Sequence, residues 1–194
     1  TMGGIGFFIT VPIALAAVWL ILPRSGFDIV SKNIAVVLAV SGVCFLVGFI
    51  DDYAKFRGKK TEGLKARYKI VIEFLLAAGI SYYVIRYGEA PKMIVMPFGL
   101  GDISAGWLFI PFIIIVFSGT INAVNFTDGL DGLLGGCTLI ICAAYSIYIV
   151  RAGSASDRNM LPVLFALAGS VAAFLWFNSH PASIFMGDTG SLFI

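Results

Sequence analysis

Apolar residues form long runs along this chain, and short polar segments separate the runs. A run of about 17–25 mostly apolar residues is long enough to cross a lipid bilayer as a helix. By this measure the sequence predicts six membrane spans and the start of a seventh. The six are 3–22, 34–50, 69–87, 106–124, 133–150 and 160–177, and the seventh begins at 191–194. The pattern therefore predicts an all-α fold, a polytopic transmembrane helix bundle.

The composition also indicates that lipid, rather than water, surrounds the chain. Of the 194 residues 59% are hydrophobic and 12% charged, against roughly 45–50% and about 25% in soluble domains. A short soluble chain needs polar residues to cover its large exposed surface, so a water-soluble globule is excluded. The three cysteines lie inside apolar runs without paired spacing, which favours packing over a disulfide or zinc site.

Basic residues predict the orientation of the spans, because they are retained on the cytoplasmic side of a membrane. Residues 51–68 and the following Lys69 hold seven of the 13 basic residues. The segment 51–68 is therefore predicted to be a cytoplasmic loop. Alternation places 125–132 and 178–190 on the same side, and 23–33, 88–105 and 151–159 outside.

An acidic pair follows the second predicted span. Asp51 and Asp52 come directly after apolar residues and precede Lys55. Two carboxylates at a helix C-terminus oppose the helix dipole, so they lower stability unless a cation or proton compensates them. A polar stop at the membrane interface is the plainer interpretation of this pair.

A second polar segment, 122–133, reads NAVNFTDGLDGL. Asn125, Asp128 and Asp131 recur every three residues, a spacing that keeps their oxygens close on a helical turn. A helix break in which Asp131 or Thr127 caps the next helix would explain one or two of these residues. It would not explain all of them.

A third segment, 178–191, reads NSHPASIFMGDTGS. Its glycines allow close backbone approach, and Asp188 and neighbouring hydroxyls precede a further predicted helix, whose N-terminus favours an anion. His180 is interpreted as a positional or interfacial residue rather than a metal ligand.

All three segments lie at predicted cytoplasmic ends of spans, so their acids should converge on one face. Magnesium prefers one or two carboxylates together with water and substrate phosphates. The basic segment on the same side suits phosphate groups or anionic lipid heads. Phosphoryl transfer requires that combination, and a site at the bilayer surface suggests a lipid substrate.

Four ordered motifs carry a resemblance that covers essentially the whole chain. They are TMGG at 1–4, GFIDDYAK at 48–55 with GLKARYK at 63–69, NAVNFTDGLDGL at 122–133 and PASIFMGDTGS at 181–191. At these residues the chain resembles the polyprenyl-phosphate hexose-1-phosphate transferase superfamily, the glycosyltransferase 4 family. TMGG favours its muramoyl branch over relatives that transfer N-acetylglucosamine-1-phosphate.

The resemblance implies a reaction that joins undecaprenyl phosphate to UDP-N-acetylmuramoyl-pentapeptide, giving lipid I and UMP with Mg²⁺, in peptidoglycan synthesis. Asp188 matches the principal magnesium ligand of the family. Asp51 and Asp52 match an aspartate pair that activates or places the lipid phosphate, and which of them, if either, is a base stays open. Lys55 and Lys69 match phosphate-binding positions.

The resemblance also implies positions for the donor. Asn125 and Asp128 match polar active-site positions, and Asp128 is counted with the catalytic carboxylates. Asn178, Asp131 and Phe185 match the nucleoside pocket, where an aromatic face can stack on uracil.

The expected setting follows from the same resemblance. We expect a multi-pass protein of the bacterial inner membrane with its site on the cytoplasmic face, in contact with the lipid bilayer and with no nucleic acid partner. A homodimer is left open. Residues 1–194 are expected to form one integral-membrane domain, an internal fragment that lacks the first span and the C-terminal spans of the family.

Two alternatives remain. A transferase that uses UDP-N-acetylglucosamine would have the same chemistry. An ion-coupled transporter would use the same aspartates to bind or relay cations, but transporter sites usually lie near the bilayer midplane and within inverted repeats.

Overall fold

The structure, a computed structural model, describes residues 2–21, 26–58, 63–87, 93–95, 101–104 and 106–194. Of these residues 79% are helical, which confirms the all-α class. The helices are α1 Ile5–Ile21, α2 Lys32–Arg57, α3 Ala66–Tyr87, α4 Phe109–Thr127, α5 Leu133–Ala152, α6 Ala155–Arg158, α7 Leu161–Asn178 and α8 Gly187–Ser191. Two short antiparallel strands, β1 Met93–Val95 and β2 Asp102–Ser104, pair with Ile94 opposite Ile103, and a 3₁₀ turn Gly106–Leu108 precedes α4.

Each of the six predicted spans corresponds to an apolar helix. Five helical segments are long and apolar enough to cross a membrane, and α1 is shorter, with 17 residues. Large apolar side chains on these helices are exposed, among them Leu20, Ile115 and Trp176. Exposed apolar surface on long helices is what lipid requires, so the chain is a multi-pass membrane protein.

Two boundaries differ from the sequence-based prediction. The second helix does not end near residue 50, because α2 continues to Arg57 with Lys55 and Arg57 in its last turn. Basic side chains there interact favourably with the helix dipole. The other boundary is the helix start expected at 191–194, where the short helix α8 instead begins at Gly187 and ends at Ser191.

The described residues form two compact units. The first comprises Thr1–Gly63 with Val124–Ile194, and the second comprises Leu64–Ala123. In the second unit Glu73 is buried on α3 and accepts a hydrogen bond of 2.8 Å from the Asn122 side chain. That amide satisfies a carboxylate inside an apolar span.

The core of the first unit lies between α1, α2, α5 and α7. Phe7 of α1 meets Phe174 of α7 edge to face at 5.2 Å, and Phe8 stacks on Phe45 of α2 at 4.1 Å. None of the three cysteines is in a disulfide, and Cys44 and Cys142 are buried, as expected of packing residues. This core holds the ends of α2 and α7 beside α8, where the polar segments meet.

Candidate active site

Three carboxylates from two segments come together in the first unit. Asp51 and Asp52 lie near the end of α2, and Asp188 lies in the first turn of α8. One oxygen from each lies within 4.8 Å of the others. Asp51 and Asp52 are buried, with 1% and 7% of their surfaces exposed. Buried like charges this close require compensation by cations or hydrogen-bond donors.

Lys55 supplies one such compensation. It lies one helical turn after Asp51 and forms an ion pair with that carboxylate, and its Nζ is 3.3 Å from Asp188 Oδ2. The Lys55 side chain is 40% exposed. The polar-stop interpretation of the acidic pair therefore fails, because both carboxylates face protein groups. The expected cation is present on the same helix.

Asp52 is compensated by α8. The backbone N–H groups of Asp188 and Thr189 donate to Asp52 Oδ1 and Oδ2 at 3.3 and 2.9 Å. The Thr189 hydroxyl donates to Oδ2 at 2.6 Å. The anion expected at a helix N-terminus is thus the side chain of Asp52, and Asp188 belongs to the helix that binds it.

Two glycines allow this contact. A side chain on Gly48 of α2 would overlap the backbone of Asp188 and Thr189. Gly187 has a φ of +69°, where side chains are strained, and a Cβ there would lie 2.5 Å from Asp52 Oδ2. Only residues without a Cβ let α2 and α8 approach this closely.

Asp128 lies next to the cluster, in the turn after α4. Burial raises the pKa of Asp128 to about 6, against the lowering effect of a hydrogen bond from the Gly187 backbone, and the charges of Asp188 and Asp52 raise it further. Asp128 therefore lies close to two of the three clustered acids, as expected from the convergence of the polar segments.

Asn125 connects the last turn of α4 to α8. Its amide donates to the Ser191 hydroxyl at 2.8 Å, and Ser191 is buried. The polar segment 122–133 therefore meets the same short helix as the acidic pair does.

Asp131 and Asn178 join the turn before α5 to the loop after α7. Asp131 Oδ2 accepts from the Ala182 backbone at 3.1 Å and lies 3.1 Å from His180 Nδ1. Asn178 accepts from the Gly132 N–H at 3.0 Å and donates to the Ile184 carbonyl at 2.9 Å. The interpretation of Asp131 or Thr127 as a helix cap is wrong, because the N-cap of α5, which begins at Leu133, is Gly132, and no side chain caps the helix.

Backbone hydrogen bonds join the TMGG motif at 1–4 to Phe185 and Met186. The Gly3 N–H donates to the Phe185 carbonyl at 3.0 Å, and the Gly4 N–H donates to the Met186 carbonyl at 3.2 Å. The Phe185 side chain is 50% exposed, and its role in a nucleoside pocket stays a prediction. Lys69 lies in the other unit, on the first turn of α3, and its phosphate-binding role stays a prediction.

Sequence reasoning did not single out Thr189, Ser191 or Gly48. Thr189 and Ser191 stand in the motif around Asp188, where only the presence of hydroxyls was noted. Gly48 stands in GFIDDYAK, three residues before Asp51. A glycine in an otherwise helical apolar run was the available signal of close packing.

Fold and site together define a multi-pass membrane protein with a carboxylate and lysine cluster at the ends of its helices. Residues 34–194 match glycosyl transferase family 4. The chain belongs to this family.

Curated relatives match nearly the whole chain. Phospho-N-acetylmuramoyl-pentapeptide-transferase of Thermoanaerobacter sp. (strain X514) is 39% identical over 194 residues, which are 100% of this chain and 57% of the relative. The protein of the same name from Symbiobacterium thermophilum is 40% identical over 192 residues, 98% of this chain and 55% of the relative. The one from Oleidesulfovibrio alaskensis is 36% identical over 207 residues, 99% and 55%. The chain thus spans little more than half the length of these relatives.

Proposed function

We propose that the full-length protein transfers phospho-N-acetylmuramoyl-pentapeptide from its UDP-linked donor to undecaprenyl phosphate, giving lipid I and UMP. The observation that carries this proposal is the cluster of Asp51, Asp52 and Asp188 with Lys55 among them. The printed name of the relatives, which are 36–40% identical to the chain, supports the same reaction.

The substrates explain why such a cluster is needed. An oxygen of the lipid phosphate forms a bond to the β-phosphorus of the donor, and the bond from that phosphorus to the oxygen bridging to the α-phosphate breaks. UMP leaves with the electron pair of the broken bond. Both reactants are anionic, so catalysis depends on bringing cations to the phosphate oxygens.

Mg²⁺ is the metal that we assign to this site. Asp188 is the principal ligand in this assignment, with Asp51 and Asp52 near enough to contribute oxygens. Carboxylate oxygens are the hard ligands that Mg²⁺ prefers, and three acids beside one lysine leave an excess of negative charge. When bound, the ion would offset negative charge on the transferring phosphate.

Lys55 is the residue that we assign to phosphate. Its ammonium already pairs with both Asp51 and Asp188, yet 40% of the side chain is exposed. A flexible lysine of this kind can remain near the carboxylates and pair with an entering phosphate as a point charge.

The proposed setting is the bacterial inner membrane, with the cluster on its cytoplasmic face. Seven of the 13 basic residues follow Asp51 and Asp52 in the segment up to Lys69. Basic segments stay on the cytoplasmic side, where a nucleotide-linked donor is made available. The lipid acceptor reaches the same surface from the bilayer.

The test uses membranes that carry the full-length protein, supplied with undecaprenyl phosphate and Mg²⁺. UDP-N-acetylmuramoyl-pentapeptide or UDP-N-acetylglucosamine is the labelled donor. We expect Mg²⁺-dependent entry of label into lipid from the muramoyl donor alone. Transfer from the other donor would place the protein in the sister branch. Transfer from neither by a folded protein would contradict the proposal and favour the transporter alternative.

Lys55→Ala is expected to lower kcat for transfer by about 10²-fold, because one preorganised cation at the phosphate is lost. Steady-state kinetics with the muramoyl donor measure the effect. Arg57→Ala is the matched control, since Arg57 is exposed on the same helical turn and donates to the Tyr53 hydroxyl rather than to the acids of the cluster in the part of the chain that the structure describes. Equal kcat values for the two variants would show that Lys55 takes no part in the transfer reaction.

Phe185→Ala is expected to raise the KM for the UDP donor by about tenfold and to leave the KM for undecaprenyl phosphate nearly unchanged. The reason is the loss of an aromatic face against uracil, worth about 1 kcal/mol or more. Phe165→Ala, at an exposed phenylalanine of α7, is the control. An unchanged KM for the UDP donor would show that Phe185 does not contact the nucleoside.

A further inference from the structure

Asp52 accepts three hydrogen bonds from two consecutive residues of α8. Its Oδ2 accepts the Thr189 N–H at 2.9 Å and the Thr189 hydroxyl at 2.6 Å, and its Oδ1 accepts the Asp188 N–H at 3.3 Å. A carboxylate oxygen has two lone pairs in the plane of the group. Both acceptor positions of Oδ2 are therefore used by one residue, whereas Oδ1 accepts one bond from the part of the chain that the structure describes.

The hydroxyl bond has the length of a charge-assisted one. A hydroxyl donating to a carboxylate lies about 2.5–2.7 Å away, which is shorter than a neutral pair. Thr189 is fully buried, and the Gly187 backbone lies directly against Asp52 Oδ2. Water therefore cannot replace the Thr189 hydroxyl without a rearrangement of α8.

The geometry points to Thr189 as a positioning residue for the transfer reaction. By holding Oδ2, its hydroxyl fixes the plane of the Asp52 carboxylate and leaves Oδ1 as the oxygen that can bind a divalent cation or a substrate group. Because Thr189 follows Asp188 in the chain, the same contact sets the distance between these two acids. This inference rests on the proposed function and names a residue that acts through Asp52.

The test uses the full-length protein in detergent and the variants Thr189→Ser, Thr189→Cys and Thr189→Ala. All three remove the methyl group, and they differ in the donor: a hydroxyl, a weak S–H donor and none. Binding of Mn²⁺ is measured from the loss of the free-ion signal in electron paramagnetic resonance, without substrate. Transfer kinetics with varied Mg²⁺ are measured separately.

We expect Thr189→Ser to bind Mn²⁺ within about threefold of wild type and Thr189→Ala to bind it about 10–100-fold more weakly, the usual effect of losing a group that orients a metal ligand. The Mn²⁺ affinity of Thr189→Cys should lie between those of the serine and alanine variants. If the alanine variant does not fold, the cysteine variant replaces it in the comparison with serine. Thr138→Ala is the matched control, because the buried Thr138 hydroxyl donates to Leu134 within its own helix. This control should bind Mn²⁺ as wild type does.

Equal Mn²⁺ affinities of the serine and alanine variants would overturn the inference, since the methyl group alone would then matter. Absence of Mn²⁺ binding by the wild type would overturn it as well. Because binding is measured without substrate, a wild type that binds Mn²⁺ but transfers no sugar phosphate would contradict the proposed function while leaving the role of Thr189 in orienting Asp52 for a cation in place.

Discussion

Asp188→Asn in the full-length protein is expected to lower Mg²⁺-dependent transfer by about 10³-fold or more. The substitution keeps the size of the side chain and removes its charge, so the cluster loses its principal metal ligand in our assignment. It also removes the charge that faces Lys55 Nζ at 3.3 Å. The measurement is the initial rate of label entry into lipid at saturating Mg²⁺ and both substrates.

Asp157→Asn is the matched control for this substitution. Asp157 belongs to the capping box of α6, where its side chain accepts from the Ser154 backbone, a bond that an asparagine oxygen can also accept. We expect wild-type rates for this variant. Wild-type turnover by Asp188→Asn in saturating Mg²⁺ would contradict the assignment of the metal to Asp188.

Gly48→Ala is expected to lower transfer by about 10²-fold and to lower thermal stability. The added Cβ would overlap the backbone of Asp188 and Thr189, and a backbone has no rotamer with which to move aside. Overpacking costs about 1–3 kcal/mol. A shift of α8 by about 1 Å would misplace the reacting groups enough for the stated loss of rate. Rate and thermal unfolding in detergent measure the two effects.

Gly42→Ala on the same helix separates this overlap from a general effect of alanine. A Cβ at Gly42 would meet only Phe8 Cε2, at 4.0 Å, an ordinary contact. Both substitutions gain about 1 kcal/mol of helix propensity, so we expect Gly42→Ala to be neutral or stabilising and fully active. A Gly48→Ala variant with the activity and unfolding temperature of Gly42→Ala would show that α2 and α8 do not meet at Gly48.

The short helix α8 explains why the largest predicted effects involve one contact. It presents Asp188, binds Asp52 through Thr189 and accepts the Asn125 amide at Ser191. The first motif runs beside the residue that precedes α8, through the bond from Gly4 to Met186. Segments far apart in the chain are thus held at hydrogen-bond distance by a single element of five residues.

Much of the fold could be predicted from the sequence, because a bilayer accepts only long apolar helices with internally satisfied backbones. The positions at which the helices end were harder to predict from the sequence. The acids at Asp51 and Asp52 suggested a stop, whereas α2 continues to Arg57 because Lys55 and α8 compensate those charges. The compensation by α8 comes from residues more than a hundred positions away in the chain.

The residues of the site could be predicted from the sequence better than the hydrogen bonds that they form. Five acids were expected to converge: Asp51, Asp52, Asp128, Asp131 and Asp188. In the first unit four of them do, and Asp131 instead bonds to the loop at Ala182. That Asp131 faces the loop at Ala182 rather than capping α5 was not predictable, since both partners suit a carboxylate equally well. The roles of these residues in catalysis stay predictions.

The sequence by itself determined the solvent, the approximate positions of the apolar helices and the polar segments that could carry chemistry, because these depend on composition and on periodic patterns along the chain. Only the tertiary structure decided which oxygen meets which donor. The contact of Gly48 with α8 and the two bonds from Thr189 to Asp52 depend on packing between distant segments. No local pattern specifies such distances, since they follow from how close two backbones can approach.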